Sequence, residues 1–508
     1  MKTLAELVKV LLHKEVRGPV ELAVSGLAYH SGQVKPGDVF FCLPGARSHG
    51  RRYVAEAEAA GAVAIVTDLP EVETSLTLVR VPETRMALAL LSAHFYDYPS
   101  RELVLTGVTG TNGKTTVTHL IDALLANSGA TTGLIGTVRY HIGGVEYPSL
   151  ATTPEANELQ ALLRRMRTAG VTYATMEVSS HALALQRTIG CDFDTVVLTN
   201  VTEDHLDFHQ NFEHYLKSKI KLFSSLGSFP LKEGRPRRAV VNGDDAHWTH
   251  FAEQTPAEVL LYGLSPRCHI RASAVQVLRE GVSFRLDTPT AFTTIKLKMT
   301  GLFSVYNALA ATAVAYLEGL SLVQIKAVLE GVSGIPGRFE LVDAGQDFTV
   351  IVDYAHTPDG LENVLRAVRE FAPARVLTVF GCGGDRDRTK RPLMGEEAGR
   401  YSDYCVVTSD NPRTEEPEEI IAEILPGLLR TIGAGGFEIQ PDRRDAIARA
   451  LQLAQANDIV VIAGKGHETT QIFSERTIPF DDRQIARELI QRRGETNGDD
   501  TKGNLRGS

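Results

Sequence analysis

A glycine-rich stretch, TGVTGTNGKTT at residues 106–116, has the residue types of a phosphate-binding loop. Its glycines let the backbone turn tightly and present N–H groups, Lys114 can reach the outer phosphates, and the Thr115 hydroxyl can bind Mg²⁺. The strict pattern G-x-x-x-x-G-K-[ST] is not met, because Val108 occupies the position of its first glycine. A β-rich segment precedes the loop and a helical pattern follows it. The stretch therefore predicts a nucleoside triphosphate site, with a chance glycine turn as the alternative.

Polar side chains end two further predicted strands of the same region. Glu177 lies in the strand predicted over residues 173–178, and His205 follows the strand predicted over 195–200. Mg²⁺ prefers oxygen ligands and keeps several waters, so Thr115, one carboxylate and the phosphates suffice for one ion. Glu177 and His205 could hold a second ion. The alternatives are a capped strand end for Glu177 and a structural role for His205.

Two arginines follow strands in the last third of the chain. Arg386 lies in GGDRDR and Arg413 in DNPR. The planar guanidinium matches a carboxylate, and Asp410, Asn411 and Glu468 could hold an ammonium group. Together these groups suit a zwitterionic amino acid that has an additional carboxylate. The alternative is that both arginines are ordinary surface residues.

The elements that must position these groups form an α/β protein. At 508 residues, three domains are expected. Residues 1–101 predict a small α/β domain, 102–336 a central domain with a mostly parallel sheet, and 337–494 a third α/β domain. Residues 495–508 lack apolar side chains apart from one leucine and predict a disordered tail.

Composition excludes several classes of protein. The net charge of −9 opposes a nucleic-acid groove as the main function. Five dispersed cysteines without a CxxC pair oppose a disulfide scaffold or a cysteine zinc site and fit a reducing cytosol. The first residues predict an amphipathic helix instead of a signal peptide, and no apolar run is long enough to span a membrane. We therefore expect a cytoplasmic protein.

Eight motifs in the chain resemble those of the Mur ligases, in the order of that family. They are GTNGKTT (110–116), MEVSSHAL (176–183), TNVTEDHLDFH (199–209), PGRFE (336–340), VDYAHTPD (352–359), GGDRDRTKRP (383–392), DNPR (410–413) and GKGHE (464–468). The resemblance covers nearly all of the chain except the tail. It is strongest to the branch of the family that adds the third peptide residue in bacterial cell-wall synthesis.

This resemblance implies a three-domain Mur ligase architecture. The N-terminal domain would hold the UDP part of the substrate, the central P-loop domain would bind ATP, and a Rossmann-like C-terminal domain would bind the incoming amino acid. With Mg²⁺, ATP would phosphorylate the D-glutamate carboxylate of UDP-MurNAc-L-Ala-D-Glu. The amine of meso-diaminopimelate would then attack the acyl phosphate. The resemblance implies a monomer without nucleic-acid or membrane partners.

The resemblance also assigns roles to individual residues. Lys114, Lys219 and His205 would be catalytic, and the magnesium ligands would be Thr115, Glu177, His205 and Lys219 once carbamylated. The ATP contacts would be Gly110, Thr111, Asn112, Gly113, Lys114, Thr115, Thr116, Asn307, Arg338 and Asp353. The UDP-sugar-peptide contacts would be Ser31, Thr152, Thr153, Ser179 and Arg187. The amino-acid pocket would contain Arg386, Asp410, Asn411, Pro412, Arg413, Gly464 and Glu468.

The DNPR form of the pocket loop favours diaminopimelate over lysine, because a guanidinium complements the distal carboxylate that lysine lacks. Four positions depart from the family pattern: His30, Gly32, His49 and Leu185. They affect the expected contacts with uridine and sugar and leave the ATP chemistry intact. The alternatives are a ligase for another amino acid, such as L-lysine or a folylpolyglutamate-type reaction, and a P-loop NTPase that acts as a binding or regulatory module.

Overall fold

The computed structural model describes residues 1–45, 48–278 and 280–503, without the side chains of residues 206, 207 and 494–503. The chain divides into two compact units, each with its own buried hydrophobic clusters. The first unit contains Met1–Val201, Glu213–Tyr262 and Ala310–Leu320, and the second contains Thr202–Phe212, Gly263–Leu309 and Ser321–Ser508. The predicted domain boundaries remain predictions.

A five-stranded sheet occupies the beginning of the first unit. Its order is β2-β7-β6-β5-β4, and only β2 runs antiparallel to its neighbour. The elements of this region are β1 (Lys2–Thr3), α1 (Leu4–Leu7), β2 (Glu15–Arg17), β3 (Ala23–Val24), β4 (Gly26–Ala28), β5 (Asp38–Phe41), α2 (Val54–Ala59), β6 (Ala64–Thr67), β7 (Thr77–Arg80) and α3 (Thr84–Phe95). The strands β5 and β6 are buried at every position, as parallel strands covered on both faces are.

The rest of the first unit is built on a larger sheet. Within this unit its strand order is β11-β10-β9-β12-β8-β13-β14-β15, and all neighbours are parallel except β10, which runs antiparallel to both β9 and β11. The elements along this part of the chain are β8 (Val104–Thr109), α4 (Lys114–Asn127), β9 (Thr132–Ile135), β10 (Arg139–Ile142), β11 (Val145–Pro148), α5 (Ala156–Thr168), β12 (Tyr173–Glu177), α6 (Ser180–Ala184), β13 (Thr195–Leu198), α7 (Leu206–His209), α8 (Phe212–Ser224), β14 (Arg238–Asn242), α9 (Trp248–Gln254) and β15 (Glu258–Gly263). Since β8, β12 and β13 are parallel neighbours, the loops at their carboxyl ends meet at one edge of the sheet.

The second unit contains an antiparallel meander and a Rossmann-like sheet. The meander joins β16 to β17 and β17 to β18, and the sheet order is β19-β20-β24-β21-β22-β23, with only β19 antiparallel. The remaining elements of the chain are β16 (Ile270–Leu278), β17 (Gly281–Asp287), β18 (Phe292–Leu297), α10 (Leu302–Leu317), α11 (Leu322–Gly331), β19 (Glu340–Leu341), β20 (Thr349–Asp353), α12 (Pro358–Phe371), β21 (Val376–Phe380), α13 (Lys390–Tyr401), β22 (Tyr404–Val407), α14 (Pro417–Thr431), β23 (Phe437–Ile439), α15 (Arg443–Leu453), β24 (Ile459–Ala463), β25 (Thr470–Ile472), β26 (Thr477–Pro479) and α16 (Asp482–Gly503).

The C-terminal helix differs from the disordered tail that the composition predicts. The helix α16 continues to Gly503, and residues 504–508 lie outside the described residues. Ile485, Ala486 and Ile490 bury an apolar face in the core of the second unit. A helix that is already nucleated by such packing extends into polar sequence at little cost per residue.

In the described part of the chain, no helix combines the length and the apolar character needed to cross a membrane.

Candidate functional site

The predicted phosphate loop connects β8 to the N-terminus of α4. Gly110 and Gly113 have φ angles of 154° and 85°, in the region that favours glycine. A Cβ atom on Gly110 would also collide with Thr199 Oγ1. The loop conformation therefore requires glycine at residue 110, for backbone geometry and for space.

The end of β13 holds this loop through hydrogen bonds. The Thr111 amide donates to Asn200 O (2.8 Å) and the Asn112 amide donates to Asn200 Oδ1 (2.9 Å). Asn112 O accepts from Thr199 Oγ1 (2.6 Å) and Asn200 Nδ2 (3.1 Å). Sequence reasoning missed Thr199 and Asn200, although both lie in the quoted motif TNVTEDHLDFH. Their position at the end of a strand next to β8 was the available signal.

Two lysines converge on the carbonyl groups of the loop. Lys114 Nζ donates to Gly110 O (2.9 Å) and to Thr111 O (2.7 Å). Lys219 is buried, and its Nζ donates to the same Gly110 O (2.7 Å). The Lys219 ammonium lies 4.4 Å from the ring centroid of Tyr215, whose hydroxyl is 2.9 Å from Thr111 Oγ1. Two cations beside a helix N-terminus favour an anion such as a phosphate.

Glu177 places a buried carboxylate directly beside the loop. Its Oε2 accepts from Thr115 Oγ1 (3.0 Å) and Thr137 Oγ1 (3.1 Å), and its Oε1 accepts from the Thr137 amide (2.7 Å). Within the described residues, no group of three or more histidine, cysteine or acidic side chains is arranged to hold a metal ion. The hydroxyl of Thr115 and the carboxylate of Glu177 are oxygen donors that fit Mg²⁺ when phosphate oxygens and water complete its shell.

His205 lies in the second unit and immediately before α7. Its Nε2 is 3.3 Å from Asp204 Oδ2, and its backbone has a left-handed φ of 55°. Glu177 belongs to the first unit. Shared metal binding by Glu177 and His205 therefore stays a prediction.

Four of the five residues predicted to contact the UDP-sugar-peptide lie near Glu177. Thr153 Oγ1 donates to Glu177 O (2.9 Å) and accepts from the Ser179 amide (3.1 Å). Arg187 Nη1 donates to Thr153 O (3.0 Å), while Thr152 Oγ1 lies 3.0 Å from Thr137 Oγ1. The fifth residue, Ser31, is buried in a short turn of the small sheet.

Two of the departures from the family pattern act as turn caps. The ring Nδ1 of His30 accepts from the Gly32 amide, and the Nδ1 of His49 accepts from the Arg51 amide, both at 3.2 Å. An acidic side chain caps such a turn in the same way. An imidazole nitrogen therefore replaces the expected Asp as a hydrogen-bond acceptor, and the local turns are kept.

The two predicted pocket arginines both lie close to one glycine. A Cβ atom built on Gly383 would be 2.9 Å from Arg413 Nη1 and 3.7 Å from Arg386 Cγ. Arg413 Nη1 donates to Gly384 O (2.7 Å). Burial lowers the pKa of Arg413, and the neighbouring charge of Arg386 lowers it further. The two guanidinium groups therefore act on each other and create a field that favours an anion.

Both arginine loops contain left-handed residues and are fastened to each other. Asp385 and Arg413 have φ angles of 53° and 55°. The buried Arg391 pairs with Glu415 Oε1 (2.8 Å), which also accepts from the Asp385 amide (2.6 Å). The hydrogen bond from Arg391 is the main cause that lowers the pKa of Glu415 to about 2. Arg391 lies in the first turn of α13, directly after the loop that contains Arg386, and Glu415 lies in the loop that contains Arg413. This ion pair therefore fixes the distance between the two loops.

A buried lysine organises the acidic side of the pocket. Lys465 Nζ donates to Asn411 Oδ1 (3.0 Å) and Glu468 Oε2 (2.9 Å). Asn411 Oδ1 also accepts from the Ile472 amide (3.0 Å), and Asn411 Nδ2 donates to Glu468 Oε2 (2.8 Å). The amide of Asn411 is therefore used to orient Glu468, whose Oε1 forms no hydrogen bond among the described residues. Sequence reasoning quoted GKGHE but did not single out Lys465.

Close contacts at two glycines bring the loops of the pocket together. A Cβ atom on Gly464 would collide with Asp410 Oδ2, and one on Gly384 would collide with Pro412 O. Asp410 O accepts from Gln471 Nε2 (2.8 Å). All seven residues predicted for the amino-acid pocket belong to the second unit.

The three predicted ATP contacts outside the loop also lie in the second unit. Asp353 is buried, and its carboxylate accepts from the Phe339 amide (2.7 Å) and the Ala355 amide (2.8 Å). Burial raises the pKa of Asp353, while Arg338 opposes that change. Arg338 lies 4.7 Å from the ring centroid of Tyr354, and Asn307 is buried in α10. A nucleotide site shared with the loop of the first unit stays a prediction.

Three family models match successive parts of the chain. Their descriptions are Mur ligase family, catalytic domain, over residues 23–96, Mur ligase middle domain over 108–315, and Mur ligase, glutamate ligase domain, over 337–466. Each match falls within one of the three domains predicted from the sequence.

Curated relatives are similar over almost their full length. A protein of Syntrophomonas wolfei named UDP-N-acetylmuramoyl-L-alanyl-D-glutamate--2,6-diaminopimelate ligase is 46% identical over 490 residues, which are 96% of this chain and 99% of that protein. A protein of Geobacillus thermodenitrificans with the same name is 47% identical over 470 residues, which are 92% of this chain and 95% of that protein.

Solved structures share the fold. A structure of a ligase with that same name is 31% identical, with a TM-score of 0.67 and coverage of 96% of this chain and 99% of that one. A folylpolyglutamate synthase from Mycobacterium tuberculosis is 20% identical, with a TM-score of 0.62 and coverage of 76% of this chain and 92% of that one. The second similarity extends only to the fold.

Proposed function

The chain belongs to the Mur ligase family, and from this membership we propose that it is an ATP-dependent ligase that adds meso-diaminopimelate to UDP-MurNAc-L-Ala-D-Glu. The observation that carries the choice of amino acid is the closeness of Arg386 and Arg413, whose side chains both approach Gly383 and whose charges act on each other. The product would serve peptidoglycan synthesis in the cytoplasm, and we expect the enzyme to act as a monomer.

The reaction needs ATP because a carboxylate is a poor electrophile. An oxygen of the D-glutamate carboxylate attacks the γ-phosphorus of ATP, and ADP leaves. The amine of the incoming amino acid then attacks the acyl carbon, the bond to phosphate oxygen breaks, and the amide forms with loss of a proton from nitrogen. The acyl carbon thus loses phosphate. Without phosphorylation it would have to lose an oxide ion, which is a far worse leaving group.

The loop of the first unit supplies the groups that suit phosphoryl transfer. Its backbone N–H groups would contact the phosphates, and Lys114 would leave the carbonyls of Gly110 and Thr111 to stabilise the charge that develops on the γ-phosphate. Thr115 and Glu177 would hold Mg²⁺, which supplies Lewis-acid stabilisation of phosphate charge when bound. We propose that His205 and a carbamylated Lys219 support the metal site.

The pocket of the second unit offers complementary groups for a zwitterion with an additional carboxylate. Arg386 and Arg413 would bind the distal carboxylate, while Glu468 Oε1 and Asp410 would accept from the ammonium beside it. L-Lysine lacks that carboxylate and would leave the two neighbouring guanidinium groups without the charged partner that the substrate supplies. Since Arg413 is half-buried, the loss of that carboxylate should be costly.

The test is release of phosphate by the purified protein with ATP, Mg²⁺ and UDP-MurNAc-L-Ala-D-Glu. We expect rapid release with meso-diaminopimelate and at least about hundredfold less with L-lysine, as expected when a charged group loses its partner. Arg413→Ala should lower kcat/KM for diaminopimelate by about hundredfold, whereas Arg366→Ala, an exposed arginine of α12, should change it less than twofold.

Other results would favour the alternatives. Release with L-lysine but not with diaminopimelate would reassign the amino acid, and equal losses in the two arginine variants would remove Arg413 from the pocket. Activity with a folate and glutamate would indicate a folylpolyglutamate-type ligase. ATP hydrolysis that is independent of every amino acid would indicate a P-loop NTPase with a binding or regulatory role.

A further inference from the structure

Thr137 contacts both Glu177, beside the phosphate loop, and Thr152, one of the residues predicted to contact the UDP-sugar-peptide. It follows β9, in the loop that begins at Gly136. On one side its amide and its hydroxyl both donate to the carboxylate of Glu177, at 2.7 and 3.1 Å. On the other side its hydroxyl lies 3.0 Å from Thr152 Oγ1. No sequence motif singled out Thr137.

The chemistry of the carboxylate fixes the direction of these hydrogen bonds. An ionised carboxylate only accepts, so the single hydroxyl hydrogen of Thr137 is donated to Glu177. Thr152 must therefore donate its own hydrogen to Thr137. The result is a directed chain from Thr152 through Thr137 to Glu177, and Glu177 Oε2 also accepts from Thr115 on the phosphate-loop helix.

The local backbone is shaped to bring Thr137 against Glu177. A Cβ atom on Gly136 would lie 2.6 Å from Glu177 Oε1, so only glycine leaves room for the approach of the next amide. Glu177 is 1% exposed and Thr115 is 4% exposed. In such a dry site, a hydrogen bond to a charged oxygen is strong and its geometry is restrictive.

We infer that Thr137 is a positioning residue that couples binding of the nucleotide at the phosphate loop to binding of the UDP-sugar-peptide at Thr152 and Thr153. The inference rests on the proposed function for the identity of the two ligands. A phosphate–metal group held by Thr115 and Glu177 fixes the carboxylate, the carboxylate fixes the Thr137 hydroxyl, and that hydroxyl orients Thr152. Thr153 donates to the carbonyl of Glu177 itself, so both threonines respond to the position of one residue.

Coupling between two ligands is a measurement that a purely structural role would not change. The dissociation constant of UDP-MurNAc-L-Ala-D-Glu is measured by calorimetry without and with a saturating, non-hydrolysable ATP analogue and Mg²⁺. The ratio of the two constants is the coupling factor. The measurement is made on the wild type, on Thr137→Val and Thr137→Ala, which remove the hydroxyl, and on Thr137→Ser, which keeps it.

Thr132→Val is the matched control, because Thr132 is buried in β9 and lies five residues before Thr137. We expect a coupling factor of about five or more in the wild type, Thr137→Ser and Thr132→Val, and a factor near one in Thr137→Val and Thr137→Ala. Using two hydroxyl-free variants keeps the test valid if one of them fails to fold.

Three results would overturn the inference: no coupling in the wild type, wild-type coupling in a folded hydroxyl-free variant, or an equal loss of coupling in Thr132→Val. Failure of the proposed function is a separate outcome. In that case the wild type would release no phosphate with UDP-MurNAc-L-Ala-D-Glu and any amino acid. A wild type that forms product while Thr137→Val keeps its coupling would contradict only the role of Thr137.

Discussion

Lys465 lies in the interior of the second unit, where its side chain is 0% exposed. A buried ammonium is tolerated only when it is paired and hydrogen-bonded, and Asn411 and Glu468 provide both conditions. Sequence reasoning expected Asn411 to contact the substrate's ammonium. The structure uses its amide to fix Glu468, and this could not be predicted because residue type does not show which partner an amide will choose.

We predict that Lys465→Met raises KM for the amino acid substrate by about tenfold or more, because Glu468 loses a charged hydrogen-bond donor that fixes its rotamer. The KM for ATP should change less than twofold. The factor by which kcat falls should be smaller than the factor by which the KM for the amino acid rises. Steady-state kinetics with each substrate varied in turn checks this. Lys326→Met, which replaces a partly exposed lysine of α11, is the control. A similar rise in both KM values would contradict a local role.

At the scale of elements, the alternation of strands and helices was predictable and the loop geometry was not. The β-rich runs near residues 173–178 and 195–200 form the parallel strands β12 and β13, and both end beside the phosphate loop. Strands of a parallel sheet are buried on both faces, and therefore a short run of apolar residues in the sequence predicts such a strand. Thr137 was missed because it lies in a loop whose contacts come from distant parts of the sequence.

The ion pair between Arg391 and Glu415 gives the second unit a pH dependence. In the folded protein the pKa of Glu415 is lowered to about 2 from an ordinary value of 4.5. The unfolded chain therefore binds this proton first as the pH falls. The stabilisation is complete above about pH 5 and is lost progressively as the pH decreases from about 4.5 to about 2.

We predict that Glu415→Gln lowers the free energy of unfolding of the second unit by about 1–2 kcal/mol at pH 7, because the buried Arg391 loses one of its two carboxylate partners and keeps Glu423 Oε2 at 2.9 Å. The difference from the wild type should narrow as the pH falls from 5 to 3. Urea denaturation at several pH values measures it. For the control Glu370→Gln, which replaces an exposed residue, the free energy of unfolding should change with pH in the same way as in the wild type. If the difference between Glu415→Gln and the wild type did not change with pH, the proposed pH dependence would be contradicted.

At the scale of the whole molecule, composition and motif order were sufficient for the fold class and the family. Motifs from residue 110 to residue 468 predicted the Mur ligase architecture, and the family models and relatives confirm it. The grouping into two compact units was not predictable, because it depends on which surfaces pack together. The helical extension of α16 was missed for the same reason: packing nucleates it, while its own composition is polar.

The net charge of −9 leads to a prediction for the whole protein. We expect no binding to a labelled DNA duplex at 50 mM salt in a fluorescence anisotropy titration up to about 10 µM protein, because non-specific binding depends on contacts between cations and phosphates. A basic protein of similar size would provide the positive control. Tight binding that weakens steeply with salt would show a local basic surface that outweighs the overall charge.

The backbone at Arg413 restricts how substrate preference can change during evolution. Its φ of 55° disfavours β-branched side chains, and its amide donates to Ile472 O at 3.0 Å, which excludes proline. Glycine and asparagine tolerate this conformation best, and unbranched side chains follow. A related enzyme that no longer uses diaminopimelate should therefore have one of these few residues at position 413, unless the backbone conformation of the whole DNPR turn has changed as well.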